Sequence, residues 1–413
     1  MSVVPELVRG DRARPGTASP SPAPPPDVRS VTSAPVAPSP PPASASTLGF
    51  APERWLGAPA PGGLALPSAT PAADTLYAPR GVWHDDERLV VADSGNHRVL
   101  VWHRLPERDH APADTVLGQS DMASEGPRLL HLPTGVAMID GRLVVADAWH
   151  HRLLAWNGLP GDDGRLPDRV IGQLDLRETA PNRGSAEARR DGFYWPYGFG
   201  VAGGRFLVAD TGNRRLVGWW SFEHALADEP PRFLVGQDDW HRRGENRDGP
   251  VAPTSFRWPH AIASTPDGRG LLVADAGNHR VLGWRDVADA CDGAEPDLVL
   301  GQDDLVSARE WPYGPQGPAV HRFPYGLSCA DGVLAVADTA NNRVLLHEPV
   351  PTAGAAPPAD GVLAQPDMDA NGENRWHAVE ADSLCWPYGL HLHGGRLAVA
   401  DSGNNRVTLW TRS

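Results

Sequence analysis

The stretch Val91–Trp102, "VADSGNHRVLVW", decides the reading of this chain, because five further stretches repeat it. They are "VADAWHHRLLAW" at 145–156, "VADTGNRRLVGW" at 208–219, "VADAGNHRVLGW" at 273–284, "VADTANNRVLLH" at 336–347 and "VADSGNNRVTLW" at 399–410. Each joins two short apolar runs through a Gly/Asn-rich turn, the pattern of a β-hairpin. Their aspartates, Asp93, Asp147, Asp210, Asp275, Asp338 and Asp401, lie 54, 63, 65, 63 and 63 residues apart. Self-similarity at such intervals marks one supersecondary unit used six times.

Two further motifs complete the unit. A P-x-G step precedes every hairpin, starting at Pro79, Pro133, Pro196, Pro259 (here "PHA"), Pro324 and Pro387. An "LGQ-x-D" element follows five of the six, ending at Asp121, Asp175, Asp239, Asp304 and Asp367. Each unit reads as four short strands: one after P-x-G, two forming the hairpin, and one running into LGQ. No helical periodicity stands out. Six four-stranded units predict an all-β, six-bladed β-propeller over residues 46–413. The gap from the Gln of one unit to the next P-x-G is 14 residues after Gln119 but 22 or 23 after the later ones. The sixth unit stops at Ser413, soon after its third strand. "STLGF" at 46–50 is the expected substitute, an N-terminal strand that pairs onto the last blade and removes its open edge.

Residues 1–45 are Pro-, Ala- and Ser-rich, with too few large apolar side chains to offset ordering entropy, and read as a disordered tail. The chain carries a formal net charge of -14, and all 37 of its cationic residues are arginine. Such acidity disfavours a phosphate backbone as partner. No apolar run approaches the roughly 18 residues of a membrane helix, and the N-terminus lacks the apolar core of a secretory signal. A cytoplasmic, monomeric propeller is expected. Cys291, Cys329 and Cys385 form no C-x-x-C pair and read as reduced, buried thiols.

The "VAD-x-G-N-x-R-V" core with its preceding P-x-G resembles the NHL repeat family of β-propellers, across about residues 46–413. The "LGQ-x-D" element is similar to that of bacterial NHL proteins, some of them encoded near hydrogenase genes. The resemblance implies a propeller fold but no single activity. Its relatives include protein-interaction modules, RNA-binding propellers and a peptide-amidating lyase that holds metal in its central channel.

Within the repeat, the invariant residues read as structural. Each aspartate closes a strand, accepts hydrogen bonds from turn amides, and faces an arginine five residues on: Arg98, Arg152, Arg215, Arg280, Arg343 and Arg406. The Gly and Asn of the turn are expected to supply positive φ. The LGQ-x-D acids are expected to cap turns.

Departures from the repeat carry the functional reading. The middle residues of P-x-G are Arg80, Thr134, Tyr197, His260, Tyr325 and Tyr388, expected as a collar at the channel mouth. Such a collar binds by stacking, cation–π contact and hydrogen bonding. Trp195, Trp258, Phe323 and Trp386 precede the step and are expected to pack between blades. Trp149 occupies an exposed turn and calls for a covering partner. Among the histidines on inner strands, His84, His260, His391 and His393, a metal set built on His260, His391 and His393 is the less favoured reading, because they occupy non-equivalent positions. The expected function is a non-catalytic scaffold that holds a protein partner through its loop face and channel mouth, with no cofactor. The alternatives are a metal-dependent lyase or hydrolase in the channel and an accessory protein of a redox enzyme such as a hydrogenase.

Overall fold

The repeated aspartate explains where each hairpin turns. The computed structural model describes residues 46–57, 70–310 and 316–413; the expected tail 1–45 lies outside them. In all six blades the aspartate Oδ2 accepts from the arginine Nε at 2.7–3.0 Å. Its Oδ1 accepts the backbone N–H two residues before the P-x-G proline of the same blade, at 2.6–2.9 Å, from Tyr77, His131, Tyr194, Arg257, Arg322 and Cys385. The arginine Nη atoms reach onward to backbone carbonyls. Arg215, for example, donates to Trp240 O, after the LGQ-x-D element, and to Arg189 O, before P-x-G. One buried ion pair therefore clips three loops of the blade together. Both side chains are at most 1% exposed in every blade. A pair so deep is tolerable only because its remaining N–H and carboxylate positions are bonded.

The turn glycines differ from the expectation. Positive φ falls on the residue after the turn Asn, or after His150 in blade two: His97, His151, Arg214, His279, Asn342 and Asn405, at 53–56°. Gly95 and Gly212 serve a close approach instead. A Cβ at Gly95 would lie 2.6 Å from Tyr77 O, and one at Gly212 2.5 Å from Tyr194 O. Where blade two carries Trp149, the corresponding bond to His131 O lengthens to 3.2 Å, against 2.8 Å at Gly95.

That left-handed residue has a second task. Nδ1 of His97 and His151 accepts from Leu132 N and Trp195 N at 3.1 Å, and Nδ1 of His279 from Phe323 N at 3.3 Å. Asn342 and Asn405 accept from Trp386 N and Ala78 N through Oδ1, both at 2.9 Å. Each bond ties one blade to the next. A backbone N–H can only donate, so these histidines must be neutral, with the proton on Nε2. Burial lowers the pKa of all three, that of His151 to about 4. The unfolded chain therefore takes up protons first. The contribution is fully present above about pH 6.5 and is lost as pH falls toward the folded-state value, at about 3 kcal/mol for His151. The melting temperature should fall over that window. A His97→Asn, His151→Asn, His279→Asn variant should flatten the fall, because Asn does the same work natively in blades five and six. An unchanged slope in a melt series from pH 7.5 to 4.5 would refute the assignment.

Six antiparallel sheets result. From inner to outer strand, blade three runs Pro196–Ala202, Arg205–Asp210, Arg215–Trp219 and Phe233–Val235. Pro196 pairs with Asp210, so the P-x-G steps, the strand-two-to-three turns and the long loops share one face. The six-bladed ring agrees with the sequence expectation, and so does its closure by an N-terminal strand. The closing strand is Phe50–Gly57, pairing with Arg406–Arg412 of blade six in the register Phe50↔Arg412 to Gly57↔Arg406. It thus begins at the last residue of "STLGF" and runs on beyond it. Its "WLG" is the true counterpart of "VLG": Gly57, like Gly118, has positive φ and lies against a hairpin-turn carbonyl and a buried leucine. Ser46 instead accepts through its carbonyl from Val362 N, on the outer strand of blade five. Blade four gains a fifth, parallel strand, Gly354–Ala355, from the blade-five loop. Two five-residue helices that periodicity did not reveal, Phe222–Leu226 and Val287–Cys291, fill loops of blades three and four.

The core lies between blades. Each successive pair shares an apolar cluster, and the closing pair is built like the others, with Leu56, Ala398 and Val407 of blade six packed on Leu89 and Val91 of blade one. The P-x-G glycines let inner strands meet. A Cβ at Gly198 would lie 2.3 Å from His260 O, and one at Gly389 2.3 Å from Arg80 O, across the closure.

Candidate functional site at the channel mouth

The proline pairs with the strand-ending aspartate in blades three to six, and in blades one and two Arg80 N and Thr134 N donate to Ala92 O and Ala146 O, so the middle residue of every P-x-G sits at the loop-face rim. Arg80, Thr134, Tyr197, His260, Tyr325 and Tyr388 accordingly line one cavity of about 120 Å³ on the ring axis. Four of them form a continuous ladder of rings. Centroids are 4.5 Å apart for Tyr197–His260, 4.3 Å for His260–Tyr325 and 4.7 Å for Tyr325–Tyr388. Arg80 ends the ladder, its guanidinium 5.1 Å from the Tyr388 centroid. Thr134 is the small member; its Oγ1 donates to Tyr197 O at 2.9 Å. Past it Arg80 Nη1 reaches the Tyr197 hydroxyl at 3.4 Å, a long contact.

The electrostatics follow from burial. Desolvation, with a smaller push from the Arg80 charge, lowers the His260 pKa to about 3, so the ring is neutral near pH 7. Burial raises the phenol pKa of Tyr325 and Tyr388, which stay protonated. The collar thus offers neutral donors and one fixed positive charge.

The histidines proposed as joint ligands do not converge. His260 is the second residue of its strand, whereas His391 and His393 are the fifth and seventh of theirs, Pro387–His393. That offset is roughly 10–16 Å along the channel at 3.3 Å per residue. His391 packs on His84 with centroids 5.1 Å apart, and His393 Nε2 lies 3.3 Å from Asp86 Oδ1. Among the described residues no group of three or more His, Cys, Asp or Glu side chains could hold a metal ion. The three cysteines are unpaired, with burial raising their thiol pKa to about 11 for Cys291 and about 12 for Cys329 and Cys385. The LGQ-x-D acids accept turn amides, as in His241 N and Arg242 N to Asp239 Oδ1.

Outside the collar, the loop face is aromatic. Trp149 is 38% exposed, leaning on Trp195 and His131 with centroids 5.3 and 5.8 Å away. Trp258 stacks on Phe323, and Trp386 donates through Nε1 to Glu373. Of the nine large exposed apolar side chains among the described residues, six lie on this face: Tyr77, Trp149, Leu174, Val306, Trp376 and Trp386.

The family model for the NHL repeat matches residues 256–284, the span from the entry of blade four through its third strand. The other five blades repeat that unit. The chain is a six-bladed β-propeller that carries an NHL repeat. This NHL propeller is similar, at 10% identity and TM-score 0.49, to a structural-genomics protein of unknown function from Bacteroides thetaiotaomicron VPI-5482, over 88% of this chain and 75% of that one. It is also similar to virginiamycin B lyase from Staphylococcus aureus, at 11% identity and TM-score 0.42 over 83% and 97%. A streptogramin B lyase structure matches at 11% identity and TM-score 0.38 over 84% and 96%. No curated protein sequence matches the chain. No helix among the described residues of the NHL propeller is long and apolar enough to cross a membrane.

The sequence reading missed the blade-to-blade acceptors in the NHL turn. Their signal was present, since the residue just before the repeat arginine is His or Asn in five of six repeats. It also missed a latch in which Ser94, Thr211, Thr339 and Ser402 donate to the P-x-G proline carbonyl of the next blade. The signal there was a hydroxyl after the aspartate in four of six repeats.

Proposed function

We propose that this propeller is a binding scaffold whose loop face, centred on the channel mouth, takes a protein partner. The observation that carries the reading is the convergence of all six repeat-breaking P-x-G residues on one cavity, on the face that also bears most of the exposed aromatics. Clustered aromatic and Arg side chains suit the core of a protein interface. The invariant residues, by contrast, are spent on clips and caps within the blades. Arg243 adds a further cation over the Tyr194 ring at 6.0 Å, beside Trp195.

The test is a Tyr197→Phe, Tyr325→Phe, Tyr388→Phe variant, which removes three hydroxyls and keeps the rings. Partner retention from the native host, measured by quantitative capture, should drop about tenfold or more, while the melting temperature moves by less than about 2 °C. The magnitude follows from losing more than one interfacial hydrogen bond at about 1 kcal/mol each. Unchanged retention with a large loss of stability would show that the collar is packing alone.

A further inference from the structure

The charge at the collar is unbalanced in an unexpected direction. The chain carries a net charge of -14, yet no Asp or Glu lines the channel-mouth cavity, and Arg80 does. The six repeat arginines are consumed by their aspartates. Arg80 has no such partner: among the described residues its guanidinium forms no ion pair, and it meets the Tyr388 ring and, at 3.4 Å, the Tyr197 hydroxyl. Nor does any described protein group bond the Tyr325 or Tyr388 hydroxyl or either ring nitrogen of His260. Three neutral groups able to donate therefore share the collar with a guanidinium that lacks a counter-charge. A cation entering here would meet Arg80 at short range, and the ring faces that could offset it are already turned on one another. An anion would complete both the charge and the hydrogen bonds. Size narrows its class. About 120 Å³ is far below the roughly 300–1,000 Å³ of pockets for drug-sized ligands.

We infer that the channel mouth is a site for one carboxylate-sized anion, held by Arg80 and the collar hydroxyls. The anion is either a free small carboxylate or an acidic side chain or C-terminus of the bound protein. Only the second source rests on the scaffold reading; the site itself does not.

The experiment titrates the full chain with sodium acetate at constant ionic strength, using chloride as background and tetramethylammonium as the cationic control, read by calorimetry and thermal shift. Saturable one-to-one acetate binding is expected, with no response to tetramethylammonium. Arg80→Gln should weaken acetate at least tenfold with the melting temperature of the free protein retained. Should Arg80→Gln fail to fold, Tyr325→Phe with Tyr388→Phe serves in its place and should also weaken acetate. Acetate indistinguishable from chloride, or saturable binding of tetramethylammonium, would overturn the site and leave the scaffold reading standing. For the source, acetate is added to the captured partner complex. Displacement of the partner assigns the anion to the protein, and co-occupancy assigns it to a free carboxylate.

Discussion

Removing residues 1–57 should collapse the cooperative unfolding of the propeller, whereas removing residues 1–45 should leave its melting temperature within about 2 °C. The difference lies in one strand. Phe50–Gly57 pairs along the outer edge of blade six, and its Leu56 and Phe50 are 0% and 3% exposed. Leu56 belongs to the cluster joined to blade one, and Phe50 to the cluster joined to blade five. Deleting two such side chains costs on the order of 5–10 kcal/mol by the measured range for core truncations. Domains are stable by only about 5–15 kcal/mol. The truncation also exposes the free edge of Arg406–Arg412, a template for aggregation. Two comparably stable truncations in scanning calorimetry would show that the ring does not depend on this strand.

The second large effect belongs to the aspartate clip. Asp275→Ala should cost about 3–5 kcal/mol, the range for stripping one partner from a buried ion pair. Arg280 would remain 0% exposed with its Nε bond gone, Arg257 N would lose its acceptor, and Asn278 would keep only Asn246 Oδ1 of its two. Arg280→Met should cost less, because it removes the charge and keeps much of the volume. The double variant should then be more stable than Asp275→Ala alone, since the orphaned guanidinium is gone. Denaturant midpoints at constant m-value report this order. A cost below about 1 kcal/mol for Asp275→Ala would mean that the clip is dispensable.

The fold was legible because its information is local and repeated. Turn chemistry, strand alternation and the Asp–Arg spacing recur six times, so each reading checks the other five. The closing strand was harder to place. "STLGF" imitates "VLGQ" in letters, but the register is set by which apolar residues meet the blade-six edge. That favours Leu56 and Gly57, whose "WLG" lacks the following Gln. The turn glycines were read for φ when they serve close approach, a distinction that depends on the path of a neighbouring loop. The collar was legible as a set because its members break an otherwise constant pattern. Its ring-to-ring ladder and the unpaired state of Arg80 were not, since both depend on side-chain geometry across the channel. The separation of His260 from His391 and His393 follows from strand position alone, and the sequence already hinted at it through their unequal phase in the repeat.

The most direct test of the loop face as the working surface is hydrogen–deuterium exchange of the propeller alone and in complex with its captured partner. Protection should concentrate at the P-x-G steps, around Trp149 and in the loops that end at Trp195, Trp258 and Trp386. The opposite face, around Gly203–Arg205 and Gly394–Arg396, should exchange unchanged. Protection confined to that opposite face, or spread over the outer strands with the channel mouth unaffected, would contradict the account.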